Sequence, residues 1–328
     1  MVRYAISGMK PIGCLFNPFA KLNKKQTKEQ IRDIETVIGD YGLIRSTESS
    51  DKIPDVVKEF HKKGIKILCI SGGDGTISSV ISEYINHCGA ENMPLIVPLK
   101  GGTMNFIAAD TGLSFDQKTV CQKLIRRIRN DEQLMSVERG LIKVTDPRLV
   151  QPYYTFTWAD GFIYRFMKWY YREGGGTSVA LKLMLKSYII YLRNGNHGLF
   201  RQEDSRVYID DKRIHFANHL FIIAATVNRL VFGFRGFSEH PKAGERFNIL
   251  YFRLPYFKKV LYKLPMGFYW GLNSDKSGNF LNLSVYSVKI EGNRGYIIDG
   301  EVMDTEKPVD IKLEMGPKIK ILSLKRNT

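Results

Sequence analysis

The sequence predicts an α/β domain on a parallel, Rossmann-type sheet, followed by an antiparallel β-sandwich. Three observations carry this. Over residues 1–130, short apolar strands alternate with helical stretches of roughly 10–15 residues, the pattern of strands joined by crossover helices. From about residue 131, strand-like pieces follow one another without that alternation, as in stacked antiparallel sheets. At 328 residues the chain also exceeds one ordinary core. Two domains are therefore expected, 1–130 and 131–328, with the last residues free to return to the first.

The first strand is Ile12-Gly13-Cys14-Leu15-Phe16, ending at Asn17-Pro18-Phe19-Ala20. A lysine-rich loop (Lys21, Lys24, Lys25) leads to a helix over 27–38. A second strand over 43–45 runs into Ser46-Thr47 and a helix over 53–63. Ile65-Lys66-Ile67-Leu68-Cys69-Ile70 is short, apolar and β-branched, which suits a buried strand. Beyond it Ile77, Val80, Ile81, Tyr84 and Ile85 recur at helical spacing. Between them lies Ser71-Gly72-Gly73-Asp74-Gly75-Thr76. A glycine-rich turn from strand to helix aims backbone N–H groups outward at the positive end of the helix dipole, which makes a phosphate cradle. The same residues also suit an ordinary turn that needs glycines. Three glycines around an aspartate, with threonine opening the helix, favour the cradle.

A further strand over 95–98 precedes a second glycine turn, Gly101-Gly102-Thr103-Met104-Asn105. Alone it is an ordinary loop signal. In parallel sheets, however, ligands bind beyond the carboxyl ends of the strands, and Asn17, Thr47 and residues 72–76 share that layer. A helix over 117–129 ends in Arg126, Arg127 and Arg129, favourable at a helix carboxyl end and read as solvated.

In the second half, strands are expected over 140–144, 153–158, 206–209, 219–225, 247–252, 281–289, 296–298, 309–313 and 319–322. Helices interrupt them over 162–172 and 178–193, and a third over 256–270 is weakened by Pro265. The stretches 162–172 and 256–270 mix aromatic and basic residues. That suits the interface of an anionic bilayer or an amphipathic cap on the core equally well. His215 and His219 lie close together but without convincing further ligands. Asp299-Gly300-Glu301 reads as a hairpin turn, since Asp-Gly is a common turn pair, or as an acidic site.

The 49 Lys and Arg outnumber the 33 Asp and Glu, for a net charge of +16. This favours anionic partners: nucleic acid, nucleotide phosphates or an anionic membrane surface. The four cysteines form no CxxC pair and read as buried free thiols in a reducing compartment. Met1-Val2-Arg3-Tyr4 leads to no signal-peptide core, and no apolar run approaches about 18–20 residues. A cytoplasmic protein with peripheral membrane contact is expected.

Taken in order, Asn17-Pro18-Phe19-Ala20, Thr47, Gly72-Gly73-Asp74-Gly75-Thr76, Gly102-Thr103-Met104-Asn105 and Asp299-Gly300-Glu301 resemble the motifs of the diacylglycerol kinase catalytic-domain superfamily. That superfamily includes bacterial soluble lipid kinases, sphingosine kinases and ceramide kinases. The resemblance implies a phosphofructokinase-like nucleotide domain and a β-sandwich lipid domain, with the site in the cleft between them. It implies an ATP-dependent lipid kinase that transfers the γ-phosphate to a hydroxyl of diacylglycerol, ceramide or a sphingoid base. By the same resemblance Gly72, Gly73, Asp74, Gly75 and Thr76 hold the ATP phosphates, and Asn17, Thr47, Gly102, Thr103 and Asn105 complete the nucleotide site. Asp74 would orient metal and phosphate, Glu301 would be the general base and Asp299 its support. The implied cofactors are ATP and Mg²⁺ or another divalent cation, and the partners are a lipid substrate and an anionic membrane rather than nucleic acid.

The sequence departs from the family pattern in three places. Phe106 stands where many relatives carry aspartate, and Lys21 where the first motif usually continues to glycine. The stretch Lys242-Ala243-Gly244-Glu245-Arg246-Phe247-Asn248 lacks the aspartates of the family's metal-binding segment, leaving Glu245 as its candidate ligand or as an exposed turn residue. Two other readings stay open. One is an NAD kinase-like phosphotransferase of the same fold, which also uses a Gly-Gly-Asp-Gly-Thr loop. The other is a non-catalytic basic nucleic-acid or membrane-binding protein, which explains the charge but not the ordered motifs.

Overall fold

The computed structural model describes residues 11–20, 22–23, 27–47, 49–102, 105–113, 115–194, 198–215, 218–227, 230, 236–237, 245–253, 274 and 278–324. The chain divides into two compact units, Met1–Arg139 with Pro317–Thr328, and Gly140–Gly316.

The first unit runs β1 (Ile12–Phe16), α1 (Thr27–Ile38), β2 (Gly42–Ser46), α2 (Ile53–Lys62), β3 (Ile67–Gly72), α3 (Asp74–Cys88), β4 (Leu95–Lys100), α4 (Phe106–Asp110) and α5 (Gln117–Arg129). Its strands are parallel in the order β2-β1-β3-β4. Beside β4, Ile321 from the end of the chain pairs with Ile96, again in parallel. Both β1 and β3 are buried along their whole length, as continuous apolar strands must be when helices cover both faces of a sheet. One core cluster joins Cys14 and Phe16, Cys69, Val97 and Leu99 to Ile34 and Ile38 of α1 and to Val120, Cys121, Leu124, Ile125 and Ile128 of α5. The thiols of Cys14, Cys69 and Cys121 are free and buried. A hydrogen bond with Cys121 and burial push the Cys69 thiol well up, and burial does the same to Cys14. Cys14 and Cys69 are packing groups rather than thiolates. Asp116 caps α5, its carboxylate accepting from the Thr119 amide at 2.9 Å.

The second unit comprises most of β5 (Ser136–Thr145), then β6 (Tyr153–Thr155), β7 (Thr157–Asp160), α6 (Gly161–Arg172), α7 (Thr177–Asn194), β8 (Glu203–Asp204), β9 (Arg206–Ile209), β10 (Lys212–Arg213), β11 (Asn218–His219), β12 (Phe221–Ala225), β13 (Phe247–Phe252), β14 (Phe280–Val285), β15 (Ser287–Ile298) and the first part of β16 (Glu301–Leu322). Its pairings are antiparallel. The first half of β15 pairs with β9 and its second half with β7, while β16 follows its other edge. The register of β15 against β16 breaks on either side of Asn293. Such a bulge bends a strand enough for it to serve two layers. Alternate residues of β12, β13, β15 and β16 then meet in one core: Ile222 and Ala224, Phe247, Ile249 and Tyr251, Val288 and Ile290, Ile311 and Leu313. Trp158 stacks on Tyr296 in the same core, with ring centroids 5.8 Å apart.

The stretches 309–313 and 319–322, expected as separate strands, belong to the single strand β16. Residues 305–308, which include Pro308, fall at the register break and have no partner in β15. A proline is tolerated there, because no ladder amide is required. Over 162–172 the structure shows the packing of α6 on the second unit. The Phe162 ring lies 4.9 Å from Phe200, 5.9 Å from Phe166 and 6.3 Å from Phe221, so α6 caps the core. The stretch 256–270 lies outside the described residues. His219 is fully buried, with Nε2 2.9 Å from Asp160, whose carboxylate also accepts from the Ile222 amide and from Asn293 Nδ2. No helix among the described residues is long and apolar enough to cross a membrane.

Gly161 opens α6 at φ +58°, and a Cβ there would sit 2.2 Å from the Leu220 carbonyl oxygen. Gly161→Ala is expected to cost at least roughly 1–3 kcal/mol of stability, measured as a lower urea midpoint. An unchanged midpoint would refute the contact.

Candidate functional site

In the first unit the two glycine turns follow β3 and β4, adjacent parallel strands. The Gly101 amide donates to the Gly72 carbonyl at 2.9 Å. A Cβ on Gly72 would lie 2.6 Å from Thr76 Cβ, one on Gly101 2.9 Å from Gly72 Cα, and one on Gly102 2.5 Å from Gly73 Cα. None of these three glycines has a positive φ. Gly101 and Gly102 are required by the approach of one backbone to another, and Gly72 by the Thr76 side chain packed against it, rather than by backbone angle. Gly73 differs: a Cβ there meets Gly102 Cα at 3.4 Å, an ordinary contact. Gly73 is the extended N-cap of α3, so that helix begins without a capping side chain of its own.

Asn17 docks the end of β1 onto this turn. Its amide donates to the Ser71 carbonyl at 2.8 Å, and its Nδ2 donates to Thr76 Oγ1 at 2.9 Å. Thr47, buried beyond β2, donates its amide to the Phe16 carbonyl at 3.0 Å. Asn105 takes a left-handed conformation, φ 47°, and clasps its own loop. Its Oδ1 accepts from the Gly102 amide at 3.0 Å and its Nδ2 donates to the Gly102 carbonyl at 2.7 Å. Asparagine tolerates this backbone better than most residues. Thr103 and Met104 lie outside the described residues.

Asp74, in the first turn of α3, is buried, and its carboxylate accepts from the amides of Phe106 at 3.3 Å and Ile107 at 3.1 Å. These are the first two residues of α4, so the aspartate places negative charge at that helix's positive end. Asn17, Gly72, Gly73, Asp74, Thr76, Gly102 and Asn105 are thus joined by direct contacts. Gly75 stands within the first turn of α3, and Thr47 is linked through Phe16.

Sequence reasoning missed the network beneath them. Asn23 is fully buried and its Nδ2 donates to the Asn17 carbonyl at 2.7 Å and to Ser71 Oγ at 3.1 Å. Ser71 Oγ donates to Gln117 Oε1 at 2.7 Å, and Gln117 Nε2 donates to Asn23 Oδ1 and to the Lys100 carbonyl, both at 2.9 Å. Ser71 was legible as the residue before the glycines. Asn23 and Gln117 carry no local signal.

In the second unit Asp299 and Gly300 form the two-residue turn between β15 and β16, with φ 44° and 90° and Ile298 opposite Glu301. The backbone is therefore a hairpin turn. The Asp299 side chain nevertheless points inward. It accepts from Thr155 Oγ1 at 2.6 Å, the Phe156 amide at 3.1 Å, the Thr157 amide at 2.7 Å and Thr157 Oγ1 at 2.8 Å. Tyr171 donates its hydroxyl to the Gly300 carbonyl at 2.6 Å. Glu301 is exposed as a residue, while neighbouring protein atoms partly desolvate its carboxyl. Desolvation, then the charge of Asp299, holds that carboxyl above the ordinary glutamate range. Glu245 is exposed, and residues 238–244 lie outside the described residues. Among the described residues no three His, Cys, Asp or Glu side chains converge as a metal-binding group.

Residues 11–137 match the family model described as the diacylglycerol kinase catalytic domain. The whole chain resembles two solved structures from Bacillus anthracis str. Sterne. One, described as a candidate diacylglycerol kinase, aligns with TM-score 0.65 at 14% identity over 97% of this chain and 98% of that one. The other, described as a diacylglycerol kinase, aligns with TM-score 0.62 at 13% identity over the same shares. A search of curated proteins finds no match. Over residues 11–137 the resemblance read from the motifs holds at the level of the diacylglycerol kinase catalytic domain. The fold, parallel in the first unit and antiparallel in the second, is that of those structures.

The glycine contacts predict a contrast. Gly102→Ala should destabilise by about 1–3 kcal/mol, as overpacking against backbone does. Gly73→Ala, with room for its Cβ, should stay within about 0.5 kcal/mol of the parent or stabilise slightly. Chemical unfolding of both variants tests this, and equal losses would contradict it.

Proposed function

We propose that the chain is an ATP-dependent lipid kinase, with the first unit binding nucleotide and the second the lipid. The observation that carries this reading is the pair of glycine turns packed backbone to backbone at the amino end of α3, in a domain of kinase type. A 15-residue helix that opens with a glycine cap presents backbone amides and a positive dipole end to phosphate. The contacts that exclude a Cβ at Gly101 and Gly102 bring main chain against main chain at this edge. Gly72, Gly73, Gly75, Gly102 and Thr76 are assigned to the phosphates. Asn17, Thr47, Thr103 and Asn105 are assigned to the rest of the nucleotide site. A divalent cation such as Mg²⁺ would absorb charge on the transferred phosphoryl group, held chiefly by the phosphates with Asp74 as the nearest protein carboxylate in sequence, and Glu245 as a further candidate ligand.

Glu301 is assigned as the general base that takes the proton of the attacking lipid hydroxyl. A carboxyl held above its ordinary range lies closer to working pH, which suits that task. Asp299 contributes negative charge, and its four hydrogen bonds fix the turn that carries Glu301. Diacylglycerol, ceramide and sphingoid bases are the candidate acceptors. The net charge of +16 suits a protein that visits an anionic membrane from solution.

The test is transfer of labelled γ-phosphate from ATP to diacylglycerol, monoacylglycerol, ceramide and sphingosine in anionic mixed micelles, with NAD as a parallel acceptor and Mg²⁺ or Ca²⁺ present. Glu301→Gln should lower turnover on the order of 10²–10⁴-fold without lowering the melting temperature. Transfer to NAD alone would move the protein to the NAD kinase-like reading, and transfer to nothing would sink the proposal. A second expectation concerns pH. The base must be ionised, so kcat/KM should fall as pH falls through a value above the ordinary glutamate range. An acid limb at or below that range would remove Glu301 from the role.

A further inference from the structure

Helix α7 buries one face and exposes the other. Ala180, Leu183, Ser187 and Tyr191 point inward, with the Tyr191 ring 5.1 Å from Phe200. Leu181, Met184, Leu185, Tyr188, Ile189 and Leu192 point outward. The exposed residues follow the i, i+3, i+4, i+7, i+8, i+11 pattern, which makes one continuous stripe roughly 16 Å long at 1.5 Å per residue. Leu181, Leu185 and Leu192 are each more than 60% exposed (62, 62 and 64%). Single exposed leucines are ordinary on protein surfaces; a contiguous apolar stripe marks an interaction surface.

The charges beside the stripe choose its partner. At about 100° per residue, Lys182, Lys186 and Arg193 fall along one border of it. The helix Thr177–Asn194 contains no Asp or Glu. Packing against a second copy of this helix would bring cations toward cations, with no carboxylate on either helix to meet them. An anionic lipid surface satisfies both parts at once. Leucine, isoleucine and tyrosine enter the headgroup boundary while the lysine and arginine heads stay at the phosphates.

We propose that α7 is the element that docks this protein on anionic membranes, lying in the interface plane with its outward stripe inserted. The inference deepens the lipid-kinase reading, on which it rests for the choice of partner, and its test separates the two. The full-length chain is cosedimented with vesicles of phosphatidylcholine alone and of phosphatidylcholine with phosphatidylglycerol. The parent should bind the anionic vesicles and bind the neutral ones far less. Leu185→Glu with Ile189→Glu should weaken binding roughly tenfold or more for each side chain withdrawn. Lys182→Glu with Lys186→Glu should weaken it about fivefold per lysine and flatten its salt dependence. All four positions are exposed, so melting temperatures should match the parent.

The same variants are assayed for phosphate transfer to vesicle-borne diacylglycerol and to a short-chain diacylglycerol dispersed as monomers. Transfer should fall for the first and hold for the second. Vesicle binding equal to the parent's in both variants would overturn the proposal, as would a parent that ignores anionic vesicles. So would variants that lose a dimer while keeping vesicle binding, which would make the stripe a contact between copies. A parent that binds vesicles through α7 but phosphorylates no lipid would sink the kinase reading and leave the docking helix standing.

Discussion

The first unit depends on one contact, the meeting of two main chains at Gly72–Gly73 and Gly101–Gly102. The contact is closer than a Cβ permits at Gly101 and Gly102, and the Thr76 side chain closes the space at Gly72. At Gly101 and Gly102 the opposing atoms are main chain, so no side-chain adjustment alone can relieve an added methyl group there. It requires β3 and β4 to end level, and their parallel register does bring Gly72 opposite Lys100. It also sets α3 and α4 near enough for Asp74 to reach the amides of Phe106 and Ile107. Turns packed this tightly turn carbonyls inward, and buried carbonyls need donors. Asn23 and Gln117 supply them to Asn17, Ser71 and Lys100. The polar network below the turns and the uncapped helix end above them are two consequences of the same close approach.

What the sequence made legible was whatever local physics decides. The helices over 27–38 and 117–129 were readable from apolar period and end signals, and the strands Arg206–Ile209 and Phe247–Phe252 from β-branched and aromatic runs. Topology-dependent features were not readable. Gln117 and Asn23 are 94 residues apart and meet only after β1, β3 and α5 have packed. The unity of β16 was hidden because Gly316-Pro317, between the two expected stretches, looks like a turn, and the bulge at Asn293 explains why Pro308 can also stand in that strand. At Asp299 the two readings offered as alternatives describe different atoms, since the backbone is a hairpin turn and the side chain is a buried anion.

Helix α7, expected over 178–193 and found over Thr177–Asn194, shows where local pattern stops short of deciding which face is buried. Its residues are apolar nearly all the way round, a pattern normally taken to mean complete burial. The signal lay in the lysines, which interrupt the apolar surface on one side only. A wholly buried helix could not have placed three cations along one border without partners. The pairing of exposed apolar area with unopposed positive charge is a surface property, and it emerges only once packing has used the other face.

The three carboxylates assigned to the chemistry divide by how they are held. Asp74 and Asp299 each accept main-chain amides that would be left buried and unpaired without them, so removing either one disturbs architecture together with charge. Glu301 shows no such ties among the described residues, and its carboxyl is raised by desolvation and by the neighbouring aspartate. A general base has to change protonation state during turnover, and a carboxylate already committed to several amides resists protonation. The group best suited to move a proton is therefore the one least bound to the fold. By the same logic, loss of activity on replacing Asp74 or Asp299 carries less mechanistic weight than loss on replacing Glu301. Only at Glu301 can the chemistry be removed while the turn that presents it is left standing.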